Sequence, residues 1–191
     1  MPNGSRDRAA TEAALQSAAV RLMERDGVLA GLNLNEVAAE AGVNRGLVYH
    51  HFGSRQELLR AALARTAKAR FDEVAEGDEL PFRARMVAFL RTMVRHRQAV
   101  QLATLLVADR DPSLRTMPLR AVTQRRLAAD VASGAIDDGL DLDAVHTAVV
   151  SLTYGYVLYR ERFADEIGVP VDDLDERVAA VADRMLGGLA P

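Results

Sequence analysis

The sequence predicts an all-α protein. Apolar residues recur at three- and four-residue spacing along most of the chain, and no strictly alternating run marks a strand. Gly and Pro gather at a few breaks and leave long stretches uninterrupted. The 191 residues fit one or two domains, and 49% hydrophobic with 27% charged residues suit a globular chain that buries a core without staples.

Each element follows in order. Leu15, Ala18, Ala19, Leu22 and Met23 form the first helical stripe, and Gly27 stands where a helix-ending residue belongs. Glycines then crowd at positions 27, 31, 42, 46 and 53, so this region holds short, tightly turned elements. Asn33 and Glu36 have capping-box spacing, with Val37, Ala38 and Ala41 facing inward. Gly42 supplies a sharp turn with positive φ. Asn44 caps a short helix from Arg45 to about His50, whose Val48 points to the core, with Phe52 wedged between the short helices. Gly53 breaks that helix, and Ser54 with Glu57 makes a second capping box. No Gly follows until Gly77 and no Pro until Pro81, so one long helix covers 54–76, apolar at Leu58, Leu59, Ala62 and Leu63. Further helices are expected over 82–96, 98–109, 118–138, 143–166 and 172–186. Asp143 and Asp172 or Asp173 are acidic helix starts, favourable to the helix dipole. The division expected is 1–53 as a first domain and 54–191 as a second, with the helix 54–76 linking them.

Composition excludes several classes of function. There is no cysteine, hence no disulfide framework, Cys-ligated zinc or thiol catalysis. The longest run free of Asp, Glu, Lys and Arg between two charges is the 16 residues from Ala144 to Tyr159, too short and too polar for a membrane span. The N-terminus has no apolar signal core, so a cytoplasmic protein without a membrane partner is expected. With 24 basic and 27 acidic residues the net charge is −3, which rules out a globally basic nucleic-acid coat. Residues 1–64 hold seven arginines and seven acids, so any nucleic-acid contact rests on a local arrangement of charge.

The segment from Asn33 to Glu57 supplies such an arrangement. Helix, Gly-containing turn and short second helix make helix-turn-helix grammar, in which the second helix enters the major groove. That helix offers Arg45, Leu47, Tyr49, His50 and His51. Arginine bonds guanine or phosphate, leucine meets a thymine methyl, and tyrosine, histidine and helix-start N–H groups bond phosphate.

The run Ala18-Ala19 to Gly27, Val37-Ala38, Ala41-Gly42-Val43-Asn44, Val48-Tyr49, His51-Phe52 and Ser54-Arg55-Gln56-Glu57-Leu58 resembles the TetR-type transcriptional regulators. It covers about the first third of the chain; the rest agrees in length and helical pattern. The resemblance implies an N-terminal three-helix helix-turn-helix domain plus a C-terminal helical bundle for ligand binding and dimerisation. It implies a sequence-specific DNA-binding regulator, a repressor released from a pseudo-palindromic operator by a small-molecule effector. Asn33 takes the place of a phosphate-touching cap, and Arg45 that of a residue reading base or phosphate. Tyr49 and His51 match phosphate-contact positions, and Arg55 matches the basic residue opening the fourth helix. Leu47 departs from the usual small polar residue, and Gly46 lets the backbone approach closely. Asn44 and His50 complete the DNA-binding set, and Arg6 and Arg8 suit an N-terminal arm.

In the second region the resemblance implies a pocket for an unknown effector among Phe82, Met86, Phe89, Met93, Leu102, Leu105, Leu106, Val122 and Tyr156. For any one of these residues plain core packing is the favoured reading, because most apolar residues at helical spacing simply fill volume. Arg126, Arg95 and His96 are the polar groups suited to a ligand's acid group. A homodimer, also implied, would pack the last two helices through Val145, Val149, Leu152, Leu174, Val178, Val181 and Met185. Gly155, in mid-helix, would permit close approach.

Two rivals belong to other classes. An enzyme or ligand carrier would hold the helix-turn-helix incidentally, but no Ser-His-Asp set, phosphate loop or H-E-x-x-H spacing is present. An architectural DNA-binding protein without effector control would rest on many basic contacts, which the neutral first third lacks. No cofactor or metal is expected. His50 and His51 point about 100° apart on a helix, and the acids at 137–143 and 172–176 read as solvated caps.

Overall fold

The computed structural model describes residues 3–26 and 32–191, and the helix-ending role expected of Gly27 lies outside them. Among the described residues there are nine α-helices and no strand: α1 (Asn3–Asp26), α2 (Leu34–Glu40), α3 (Arg45–Phe52), α4 (Arg55–Glu76), α5 (Phe82–Arg95), α6 (Arg97–Ala108), α7 (Arg120–Ala132), α8 (Leu142–Ile167) and α9 (Val171–Gly187). A 3-10 turn, Gly77–Glu79, separates α4 from α5.

The chain folds as two compact units, neither of them continuous in sequence. The first takes Met1–Lys68 and Gln98–Leu114; the second takes Ala69–Arg97 and Arg115–Pro191. The helix α4 therefore runs through both, and nearly all of α6 belongs with the N-terminal helices.

In the first unit, Leu15, Ala18, Ala19, Leu22 and Met23 of α1 are buried, as are Val37, Ala38, Val48, Leu58, Leu59 and Ala62. From α6, Ala99, Val100, Leu102, Ala103, Leu105 and Leu106 are buried as well. The second unit has two apolar clusters. Val87, Leu90, Tyr156, Ala164, Leu174, Ala179 and Ala182 join α5, α8 and α9. Phe82, Leu127, Ile136 and Val145 form the other, with Met86, Leu186 and Leu189 packed against it.

Four helices end by one device. In α2, α6, α7 and α8 the chain turns through a residue of positive φ: Gly42 (71°), Arg110 (53°), Gly134 (76°) and Gly168 (75°). The next N–H in each case bonds back to the last turn: Val43 to Ala38 O, Asp111 to Leu106 O and Ala135 to Asp130 O, at 2.8 to 2.9 Å, and Val169 to Ala164 O at 3.1 Å. This six-to-one closure satisfies carbonyls that the helix end leaves open. It also corrects the expected helix over 118–138, which stops at Ala132 because Gly134 takes the left-handed position. The start of α8 likewise moves from Asp143 to Asp141, whose Oδ1 accepts from Asp143 N at 2.9 Å and Ala144 N at 3.2 Å.

Candidate nucleic-acid interface

The segment from α2 to α3 is fixed by its caps. Asn33 Oδ1 accepts from Asn35 N at 2.9 Å, one residue short of the Glu36 position that capping-box spacing suggests. Asn44 Oδ1 accepts from Leu47 N at 3.1 Å and starts α3. A Cβ at Gly46 would stand 3.1 Å from that same Oδ1, so the missing side chain leaves room for the cap. Between the helices, Gly42 turns the chain with nothing within 4 Å of where its Cβ would be.

Val48 is the one buried residue of α3, anchoring the helix from beneath. On the exposed side, Arg45 Nη2 donates to Tyr49 Oη at 3.1 Å, and its guanidinium carbon lies 5.4 Å from the tyrosine ring centroid. This i, i+4 pair holds a cation and a phenol together in solvent, with Tyr49 42% exposed. His50 is exposed and Leu47 half-buried beside them.

Two residues of the expected contact set are engaged within the protein. His51 has a side chain only 6% exposed, and its Nδ1 lies 3.3 Å from Glu12 Oε1 of α1. Arg55 donates through Nε to Leu32 O at 3.1 Å and pairs through Nη1 with the Asp109 carboxylate. Arg8 lies within α1, where it donates to Glu12 at 3.0 Å, so it is not part of an extended arm. The Glu12 carboxyl is held below the usual glutamate range, first by Arg8 and then by His51. Arg6 also falls within α1.

The residues after α6 close on the start of α4. Gln56 Nε2 donates to Asp109 O at 2.9 Å. Arg60 Nη1 donates to both oxygens of Asp111, at 3.0 and 2.8 Å, and to Ser113 Oγ at 2.8 Å. Asp109 and Asp111 had no signal in the sequence, because their partners lie more than fifty positions away.

The residues expected around an effector are placed differently from one another. Leu102, Leu105 and Leu106 are buried in the first unit. Phe82, Met93 and Tyr156 are buried in the second, where Met86, Phe89 and Val122 are half-buried. The polar groups already have carboxylate partners: His96 Nε2 lies 2.7 Å from Glu73, Arg95 Nη2 2.7 Å from Glu73, and Arg126 Nη2 3.3 Å from Glu79.

An apolar cavity of about 360 Å³ does open on α5, α8 and α9, lined by Met86, Val145, Val149, Leu152, Met185 and Leu189 among others. Only Met86 comes from the expected effector set; Val145, Val149, Leu152 and Met185 come from the expected dimer set. Of the other dimer residues, Leu174 is buried in the core, Val178 is half-buried and Val181 is 54% exposed. Tyr159, Phe163 and Ile167 of α8 are also exposed, a continuation that the sequence reading missed although their four-residue spacing was legible. Among the described residues no group of three His, Asp or Glu is placed to hold a metal ion, and no helix is long and apolar enough to cross a membrane.

The chain is similar to known proteins in its N-terminal sequence and in its fold. The family model described as bacterial regulatory proteins, tetR family, matches residues 15–62. The HTH-type transcriptional regulator BetI of Rhizobium meliloti (strain 1021) is 34% identical over 130 residues, covering 63% of this chain. The chain spans 62% of the length of that relative. Among solved structures, CprB from S. coelicolor A3(2), a TetR family protein, is 25% identical with a TM-score of 0.55, over 92% of this chain and 97% of its own. The ketosteroid transcriptional regulator KstR2 of Mycobacterium tuberculosis shares the fold, with 20% identity and a TM-score of 0.62 over 94% of this chain and 95% of its own.

Proposed function

We propose that this chain, whose residues 15–62 match the tetR family model, is a TetR-type regulator: a sequence-specific DNA-binding repressor, released from its operator by a small-molecule effector. One observation carries the reading: α3 is anchored from beneath by Val48 and presents the Arg45–Tyr49 pair outward, one turn apart, beside exposed His50. An exposed helix face with a cation, a phenol and an imidazole meets bases and phosphates of a major groove. The capped starts of α2 and α3, at Asn33 and Asn44, add backbone N–H groups suited to phosphate. Gly46 keeps the first turn of α3 slim, and Leu47 adds apolar contact. In this reading His51 and Arg55 act from inside the fold, orienting α3 and the start of α4.

The working form is a homodimer. Leu152, Tyr159, Phe163 and Ile167 of α8, with Val181 and Met185 of α9, leave large apolar side chains exposed, which a second copy would cover. Gly155 supports this, since a Cβ there meets nothing within 4 Å in its own chain. A two-fold dimer reads a pseudo-palindrome. The effector acts by favouring one of two conformations, with a coupling of about 1–3 kcal/mol. No reacting constellation among the described side chains favours catalysis over binding.

Selection of bound duplexes from a random pool, repeated at two salt concentrations, tests this. Enrichment of an inverted repeat is expected. A folded dimer that enriches nothing, with affinity set by salt alone, would overturn sequence reading in favour of architectural binding.

A further inference from the structure

We infer that Glu12 is a positioning residue for DNA recognition, which holds α3 in its reading orientation through His51. The inference rests on the reading that α3 contacts DNA. Val48 is the one fully buried residue of α3, with Leu47 and Phe52 half-buried, and a helix of eight residues held mainly at one point gains from a second anchor against rolling. His51 lies three residues on, so it shares the inward face with Val48. Its imidazole is nearly buried, and a buried polar group needs a partner. Glu12 of α1 supplies one at 3.3 Å and is itself steadied by Arg8 at 3.0 Å on the preceding turn. Two anchors on one face resist that roll better than one.

The consequence reaches the exposed face. The His50 ring stands edge-on to the His51 ring, with centroids 5.4 Å apart and planes at 84°. Arg45 and Tyr49 sit on the same short rigid helix, so a roll that releases His51 swings all three away from the groove. With the Glu12 carboxylate accepting, His51 carries its proton on Nδ1 and donates it to Glu12. The contact is therefore spent within the protein and not on a phosphate.

The test compares wild type, Glu12→Ala and Glu12→Gln, each checked for folding by circular dichroism. Fluorescence anisotropy gives affinity for the selected operator and for a scrambled duplex. Glu12→Gln keeps an accepting Oε1 and stays within about 2-fold of wild type on the operator. Glu12→Ala loses about 10-fold on the operator and less than about 2-fold on the scrambled duplex, a loss of specificity in step with tenfold affinity arithmetic. In parallel, imidazole nitrogen NMR of the DNA-free protein reads the Nδ1-protonated form of His51, which Glu12→Ala loses. Operator affinity unchanged in Glu12→Ala overturns the inference. So does equal tightening of both variants on both duplexes, which would make Glu12 only a repelling charge. A wild type that distinguishes no duplex overturns the DNA-reading assignment itself, and the NMR result then still decides whether the Glu12–His51 contact exists.

Discussion

Asp111 reaches back to Arg60, fifty-one positions earlier, and accepts two hydrogen bonds from the same Nη1 at 3.0 and 2.8 Å. The carboxylate is wholly buried, and Ser113 N and Oγ complete its partners at 2.8 and 2.7 Å. Ser113 first, then Arg60, holds the Asp111 carboxyl below the usual aspartate range. A depressed carboxyl pKa stabilises the fold above the ordinary value near 3.8, and that stability is lost as pH falls through the folded value. Wild-type protein therefore loses thermal stability below about pH 4. Asp111→Ala starts with a lower midpoint at neutral pH and shows a shallower acid decline, both measured by calorimetry across pH.

Arg110 occupies a left-handed backbone position at φ 53°, where its counterparts after α2, α7 and α8 are glycines. A non-glycine residue there carries strain of about 1 kcal/mol or more. Arg110→Gly is expected to gain about 0.5–1 kcal/mol in urea unfolding, after the added freedom of the unfolded chain is subtracted. A loss of stability would mean that the Arg110 side chain holds the turn by contacts that outweigh its backbone.

Arg45→Ala and Tyr49→Ala each reduce operator affinity about 5- to 150-fold, the span of 1–3 kcal/mol. Because the two side chains bond each other, their effects fall short of additive in a double-mutant cycle. Arg45→Ala also lowers the salt slope by about one if its contact is to phosphate. Unchanged affinity in both variants would remove α3 from the interface.

Much of this first unit was legible before any coordinates. Asn44, Gly42 and Val48 declare cap, turn and anchor by residue type alone, and all three take those places. Local chemistry writes such signals because each one is satisfied within a few residues. The packing of 98–114 with the N-terminal helices left no comparable trace. Its ties, Asp109 to Arg55 and Asp111 to Arg60, join acids and arginines that look like ordinary solvated charges until the chain brings them together. Burial of an apolar helix is legible in its periodicity; the identity of what buries it is not. For the same reason the spacing of Leu102, Leu105 and Leu106 favours core without naming the helices that cover them.

His146 is buried on α8, and its Nδ1 has no hydrogen-bond partner. Burial pushes its pKa below the ordinary 6.5; Arg120 on α7 adds to that shift, while Asp143 opposes it. The unfolded chain therefore takes up a proton at a pH where the folded chain does not. Stability from this residue is fully present above about pH 6.5 and declines as pH falls towards the folded value. Replacing it, as in His146→Gln, flattens the fall in thermal midpoint between about pH 7 and pH 5. A wild-type midpoint constant over that interval would show that His146 takes up its proton in the fold as it does in the unfolded chain.

Gly155→Leu places its Cβ where nothing of the single chain lies within 4 Å, and its bulk blocks a second copy from closing on α8. Sedimentation is expected to show a dimer for wild type and a shift towards monomer for the variant, with operator affinity falling alongside. A variant that stays dimeric and binds normally would place the contact between copies elsewhere.

Because the chain crosses between its two units at 68/69, 97/98 and 114/115, the unit that carries the proposed DNA-facing helix is not written as one uninterrupted stretch of the gene. Recombination with a relative at a single crossover would exchange α1 to α3 but leave the new sequence facing a foreign α6. Under the proposed reading of DNA by α3, inheritance of a new operator preference is tied to the segment 98–114, and a working chimera must import both pieces together.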